Sequence, residues 1–325
     1  MEENLFEQRT DLGGLQEAIG LLKAEIGKIV IGQEQMIELL LAGILAEGHI
    51  LIEGVPGVAK TLTAKLLSKT ISVGFSRIQF TPDLMPSDVI GTTIFNPKES
   101  SFQFKPGPIF SNIVLIDEIN RAPAKTQSAL FEVMEERQVT VDGQSFVLQH
   151  PFMVIATQNP IEQEGTYHLP EAQLDRFLFK IHVAYPTPEE EFRIVTDHHL
   201  ARLESRVDGV KAVLSGSQID ELRRQVRGLH VEDKLIRFIT AIVTATRNHK
   251  AIYLGASPRA SIGILNGSKA LAAMRGRDFV TPEDIVYTAP AVLRHRLVLT
   301  PEREMEGASA DDVIGEIIQS LEIPR

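Results

Sequence analysis

His49-Ile50-Leu51-Ile52-Glu53 reads as a buried strand that runs without a break into Gly54-Val55-Pro56-Gly57-Val58-Ala59-Lys60-Thr61 and then a helical run from Leu62 to Lys69. Few folding patterns accommodate that junction. Glycines let the chain turn tightly so that consecutive backbone N–H groups face one way, and the following helix adds its positive end. Lys60 can reach beyond that turn and Thr61 brings a hydroxyl, so the residues together form a cradle for phosphate with an oxygen placed to ligate Mg²⁺. Loops of this kind usually carry Gly before the Lys. Here Ala59 stands in that place, and near-helical backbone is expected at 59, where a single methyl is favourable. An ordinary glycine-rich strand-to-helix turn shares part of this pattern, so the remainder of the chain has to discriminate.

Phosphate loops belong at the carboxyl end of a strand in a parallel sheet. Phe75 to Phe80, Asn112 to Asp117, Pro151 to Thr157 and Phe177 to Val183 are further runs of β-branched or aromatic residues, mostly separated by helical patterns. Together with His49 to Glu53 they predict a five-stranded α/β sheet with helices on both faces. Two hairpins interrupt the rhythm. One joins Val139-Thr140-Val141 to Phe146-Val147-Leu148 through Asp142-Gly143, a strong type I′ turn signal, and the other joins Gly91 to Phe95 with Ser101 to Phe104. The Phe102 and Phe104 alternation fits a hairpin packing one apolar face better than it fits base stacking. After Tyr185-Pro186-Thr187-Pro188 the strand patterns stop, which places a boundary between residues 1–187 and 188–325. The second part reads as all-helical. Val231, Leu235, Phe238, Ile239, Ile242 and Val243 follow the spacing of one helix face, and Ser257-Pro258 and Thr281-Pro282 each read as an N-cap followed by proline in the first turn.

Two further strand ends carry chemistry. Ile113-Val114-Leu115-Ile116 ends in Asp117-Glu118, and ligands in open α/β sheets bind at such carboxyl ends. Asp117 is placed to hold Mg²⁺ and Glu118 to orient and deprotonate an attacking water, although a solvated acidic turn has the same composition. Phe152 to Thr157 ends in Gln158-Asn159-Pro160, where the Asn159 amide can hold a water or a phosphate oxygen; Asn-Pro also starts ordinary turns. Two arginines are candidates on different grounds. Arg259 follows Ser257-Pro258 in a first helical turn, where the helix dipole opposes a cation, so an anion docking there would explain it. Arg176 ends the segment from Pro170, where a cation at a helix C-terminus and a catalytic arginine look alike.

Composition narrows the class. With 33 basic against 43 acidic side chains the net charge is -10, which offers nucleic acid and anionic lipid no general attraction. With no cysteine, thiol chemistry, disulfides and thiolate metal sites are excluded. The nine histidines form no metal-binding pattern. The apolar stretch Leu39 to Ala46 falls far short of the roughly 18 residues of a membrane span. Met1-Glu2-Glu3-Asn4 is acidic where a signal peptide would be basic, so a cytoplasmic protein with no membrane span is expected.

The strings GVPGVAKT (54–61), RIQFTPDLMPSDVIG (77–91), GPIF (107–110), LIDEINRAPAKTQSALFEVMEE (115–136), ATQNPIEQEGTYHLPEAQLDRF (156–177) and GASPRA (255–260) together resemble the MoxR family of AAA+ ATPases, over about Ile31 to Arg296. Ala before the loop lysine agrees with that family. The resemblance implies an AAA+ core with a helix-2 insert and a pre-sensor-1 hairpin, followed by a small all-α lid. It implies ATP and Mg²⁺ as cofactors, with Lys60 and Thr61 in Walker A, Asp117 and Glu118 in Walker B, and Asn159 as sensor 1. Arg176 would be the arginine finger, Arg259 sensor 2, and Gly32-Gln33 the segment beside the adenine. A homo-oligomeric ring, hexameric by family habit, would then remodel protein clients, commonly with a von Willebrand factor A domain partner. Three alternatives stay open: a metal chelatase ATPase subunit, a nucleic-acid motor, and a nucleotide-gated switch. Ser100 to Phe104 and Asp142 to Leu148 contain no Lys or Arg, which weighs against the motor.

Overall fold

Five strands, β1 (His49–Gly54), β2 (Phe75–Gln79), β5 (Ile113–Asp117), β8 (Met153–Gln158) and β9 (Phe177–Val183), form one sheet in the order β2-β5-β8-β1-β9. Every neighbouring pair is parallel. The structure, a computed structural model, describes residues 12–159, 167, 169–200, 207 and 209–324. Of the stretches singled out above, Met1 to Asn4, Pro160 to Thr166 and His168 lie outside the described residues.

Alternate residues of each central strand enter two separate cores, as a strand covered on both faces requires. Ile50, Ile52, Ile113, Leu115 and Ile155 pack with the helices α1 (Gly13–Gly27), α2 (Glu34–Leu45) and α3 (Lys60–Thr70). Leu51, Val114, Ile116, Val154 and Ala156 face the other side, where Leu130, Phe131 and Met134 of α5 (Ala124–Glu136) cover them and Val89 of the short α4 (Pro86–Ile90) joins. His49 is a buried member of β1. Its Nδ1 accepts from the Val154 amide at 3.0 Å and its Nε2 lies 3.1 Å from the Met134 carbonyl, while burial pushes its pKa down to about 4 and keeps the ring neutral.

Both hairpins are present. β6 (Gln138–Val141) and β7 (Gln144–Val147) turn at Asp142 and Gly143, both with positive φ, as a type I′ turn demands. β3 (Gly91–Asn96) pairs with β4 (Ser101–Pro106), and the two hairpins hold each other: Phe104 stacks on Phe146 with centroids 4.3 Å apart, and Thr93 Oγ1 donates to Asp142 Oδ2 at 2.6 Å. The apolar face expected there packs only at Phe104, since Phe102 is 74% exposed beside Phe95.

A short α6 (Glu171–Leu174) precedes β9; beyond β9 come α7 (Pro188–His199), α8 (Gly216–Arg227), α9 (Asp233–Asn248), α10 (Pro258–Met274), α11 (Pro282–Leu293), α12 (Pro301–Met305) and α13 (Ala310–Ser320). Ser257 and Thr281 are N-caps with proline following, as read from the sequence. One expectation is corrected: this part is not wholly helical. β10 (Ile252–Leu254) and β11 (Val298–Leu299) pair antiparallel, but three and two residues are too few to show an alternation. The lid side also covers the sheet edge. Arg294 donates to the Lys180 carbonyl, His295 Nε2 lies 3.0 Å from that of Phe177, and Arg296 reaches those of Asp175 and Phe177 at 3.0 and 2.6 Å.

Candidate active site

A cavity of about 390 Å³ opens at the carboxyl ends of β1, β5 and β8, lined by Gly57, Ala59, Lys60, Thr61, Leu62, Asp117, Glu118 and Asn159 together with Pro56, Arg77, Gln79 and Thr157. The loop that forms one wall follows from its residues. Gly54 pairs so closely with β9 that a Cβ would stand 2.8 Å from the Val183 carbonyl oxygen, and Gly57 takes φ +89°, open only to glycine without strain. Val58 is buried in the core and Val55 packs against it, so these two anchor the loop and leave its backbone toward the cavity. The expectation of near-helical backbone at 59 is overturned: Ala59 has φ 60° and ψ 18°, in the left-handed region, as the N-cap of α3. The chain reverses direction one residue later than helix propensity suggested, and the methyl crowds a conformation that glycine would take freely.

Lys60 opens α3, and its Nζ donates to the Gly54 carbonyl at 2.6 Å. Burial lowers its pKa, against the attraction of Asp117, Glu118 and Glu53. Asp117 accepts from Thr157 Oγ1 at 3.1 Å and from Arg77 Nε at 2.6 Å. Glu118 accepts from Gln79 Nε2 at 2.7 Å, and Arg121 Nε lies 3.2 Å from the same oxygen. Its backbone is left-handed, φ 57° and ψ 53°, and its amide donates to Thr157 Oγ1, which therefore bridges both acids. Beside the loop, Glu53 pairs with Lys180 at 2.9 Å and His182 at 3.0 Å. Burial opposes its ionisation, yet these partners outweigh burial and bring its pKa down to about 2.

The donor set suits a hard cation. Asp117 and Thr61 present a carboxylate and a hydroxyl to the same cavity, the oxygen types that Mg²⁺ takes. Among the described residues no group of three or more His, Asp or Glu could hold a metal alone, so the remaining ligands would have to come from bound phosphates and water.

Other candidates lie elsewhere. Arg176 donates to the Phe131 carbonyl at 2.7 Å and lies 3.2 Å from Glu135 Oε2, while Arg259 Nη2 meets Glu135 Oε1 at 2.7 Å. One carboxylate thus holds both arginines, and neither lines the phosphate-loop cavity. Gly32 lines a separate cavity of about 570 Å³ with Ile31 and Arg193, and Gln33 Nε2 donates to the Ala184 carbonyl at 3.4 Å. Sequence reading missed Arg77, Gln79 and Thr157 as members of the site. Arg77 and Gln79 alternate with Ile78 and Phe80, which puts them on one strand face, but only the pairing of β2 beside β5 brings that face to the acids.

Comparison with known proteins agrees with this geometry. The sequence profile of the ATPase family associated with various cellular activities (AAA) matches residues 49–179, and that of an AAA lid domain matches 244–317. The chain is 46% identical to the chaperone MoxR1 of Mycobacterium tuberculosis, over 93% of this chain and 81% of that one. It is 28% identical to the protein MoxR of Methylorubrum extorquens, over 95% and 96%. The crystal structure of a putative ATPase from Cytophaga hutchinsonii superposes with a TM-score of 0.89 at 43% identity, over 97% of each chain. The likeness runs along nearly the whole length, and the chain belongs to the MoxR family of AAA+ ATPases.

Proposed function

We propose that the chain is a Mg²⁺-dependent ATPase of the cytoplasm that works as a hexameric ring and remodels protein complexes in a chaperone-like way. One observation carries the reading: Lys60, Thr61, Asp117, Glu118 and Asn159, from three strand ends, meet at one cavity. The backbone amides from Gly57 to Thr61 and the start of α3 receive the phosphates, and Lys60 leaves the Gly54 carbonyl to neutralise the outer ones. Mg²⁺ would be held by Thr61 and Asp117, the acid that Arg77 now contacts, and would supply charge neutralisation on the phosphate oxygens. Glu118 takes the proton of the attacking water and Asn159 orients it.

Arg176 acts on a neighbouring subunit's phosphate, a role supported by its absence from the cavity of its own chain. Arg259 acts from the lid, with the division between core and lid at 187/188. Gly32-Gln33 flanks the adenine. A protein client is supported by the hairpins, whose exposed side chains Phe95, Phe102 and Val147 are apolar. A von Willebrand factor A domain partner remains part of the proposal.

The test is Glu118→Gln. It should bind ATP as the parent does while turnover drops at least about 100-fold, the usual scale for losing a general base. Used as bait, it should retain protein. Turnover within twofold of the parent, or retention of DNA without protein, would sink the reading.

A further inference from the structure

At the amino end of β1, across the sheet from the phosphate loop, a second cavity of about 380 Å³ lies between core and lid. Its polar wall is Glu47, Arg137, Arg227, Asn266 and Lys269, over an aliphatic floor. Arg137, the C-cap of α5, donates to Glu47 Oε2 at 2.9 Å and to the Glu47 carbonyl at 3.0 Å, and Arg227 of α8 pairs with the other carboxylate oxygen. Lys269 of α10 donates to the Arg227 carbonyl at 2.8 Å, a partner that leaves its charge unbalanced. Arg223, one turn before Arg227, is only 2% exposed. It donates to the Ile44 carbonyl at 2.8 Å and to Asp220 at 3.1 Å, and its Nη2 is buried with no hydrogen-bond partner.

Among the described residues, two carboxylates, Glu47 and Asp220, thus answer Arg137, Arg227, Lys269 and, behind the cavity lining, Arg223, in a protein whose net charge is -10. Burial above all brings the Arg223 guanidinium down to about 10, with Arg137 adding a smaller push against the pull of Asp220. We propose that this seam is a second anion site, selective for a compact phosphate-class anion such as phosphate or pyrophosphate. Planar guanidinium forks and an ammonium match tetrahedral phosphate oxygens, and an anion there offsets the surplus charge. Among the described residues no aromatic side chain lines the cavity to stack a base, which favours the bare anion over a nucleotide. Because Arg137 belongs to the core and Arg227 and Lys269 to helices beyond β9, the bound anion ties the two parts together at a distance from hydrolysis.

The test separates this site from the phosphate loop. Pyrophosphate is titrated calorimetrically into the full chain carrying Lys60→Ala, which weakens the loop's own hold on phosphate. One binding event should persist. Adding Arg227→Gln and Lys269→Gln, both on solvent-accessible side chains, should weaken it at least about tenfold and abolish any rise in melting temperature that pyrophosphate causes. Lys269→Gln alone, the milder change, should weaken it severalfold if the double variant folds poorly. Loss of all binding in Lys60→Ala, affinity unchanged by the charge removals, or binding of polyglutamate without binding of pyrophosphate would each overturn the proposal.

Discussion

Ala59 holds φ 60°, where Cβ meets the following carbonyl at a cost of about 1–2 kcal/mol. Ala59→Gly should therefore raise stability by about 1 kcal/mol in urea unfolding, after allowing for the greater freedom of glycine in the unfolded chain. A loss of stability instead would mean that contacts of the methyl with the core, against which Ala59 packs, exceed the strain. Glu53 makes a pH-dependent contribution of a stated sign. Its folded pKa of about 2 lies below the ordinary carboxylate value of about 4.5, so the ion pair with Lys180 and the hydrogen bond with His182 stabilise fully above pH 4.5 and fade as pH falls toward 2. The destabilisation caused by Glu53→Gln should be largest near neutrality, of order 2–3 kcal/mol, and shrink through that window. A difference that grows on acidification would contradict the pairing.

At the scale of elements, β9 poses the problem of every edge strand: a row of carbonyls without a neighbouring strand. Arg294, His295 and Arg296, directly after α11, take those carbonyls, and Arg296 also pairs with Asp175 at 2.7 Å. His295 stays neutral, because burial above all and then the adjoining Arg296 push its pKa well below 6.5. Arg296→Met removes a buried cation and leaves Asp175 to the neutral Ser257 hydroxyl, so denaturant unfolding should show a loss of about 3–5 kcal/mol. ATP turnover should fall as well, since Arg176 follows Asp175 directly. Stability within about 1 kcal/mol of the parent would show that the methionine fills the site and that the polar contacts carry little net energy. This latch was illegible beforehand, since nothing in Arg294-His295-Arg296 says which strand it will meet. The Asp142-Gly143 turn was legible because its backbone demand is met by those two residues themselves.

For the whole molecule, the role proposed for Arg176 between subunits makes a sharp prediction. If the proposed ring forms, Arg176→Ala alone and Glu118→Gln alone should both be nearly inactive, while mixing them should restore measurable ATP turnover, because some interfaces then join an intact Arg176 to an intact Glu118. No recovery on mixing would place Arg176 in its own chain's site. Much of that site was readable without coordinates. Lys60, Asp117, Glu118 and Asn159 each stand at the carboxyl end of an apolar run, and in a parallel sheet all such ends fall on one edge whatever the strand order. Periodicity and glycine placement are local, so they show in one dimension. The neighbours of those residues are another matter. Arg77 on Asp117, Gln79 on Glu118, and Glu135 held at once by Arg176 and by Arg259, 124 residues away in sequence, depend on which elements pack side by side. Such pairs are set by strand order and by where the lid rests, and contacts between remote elements leave no periodic trace along the chain.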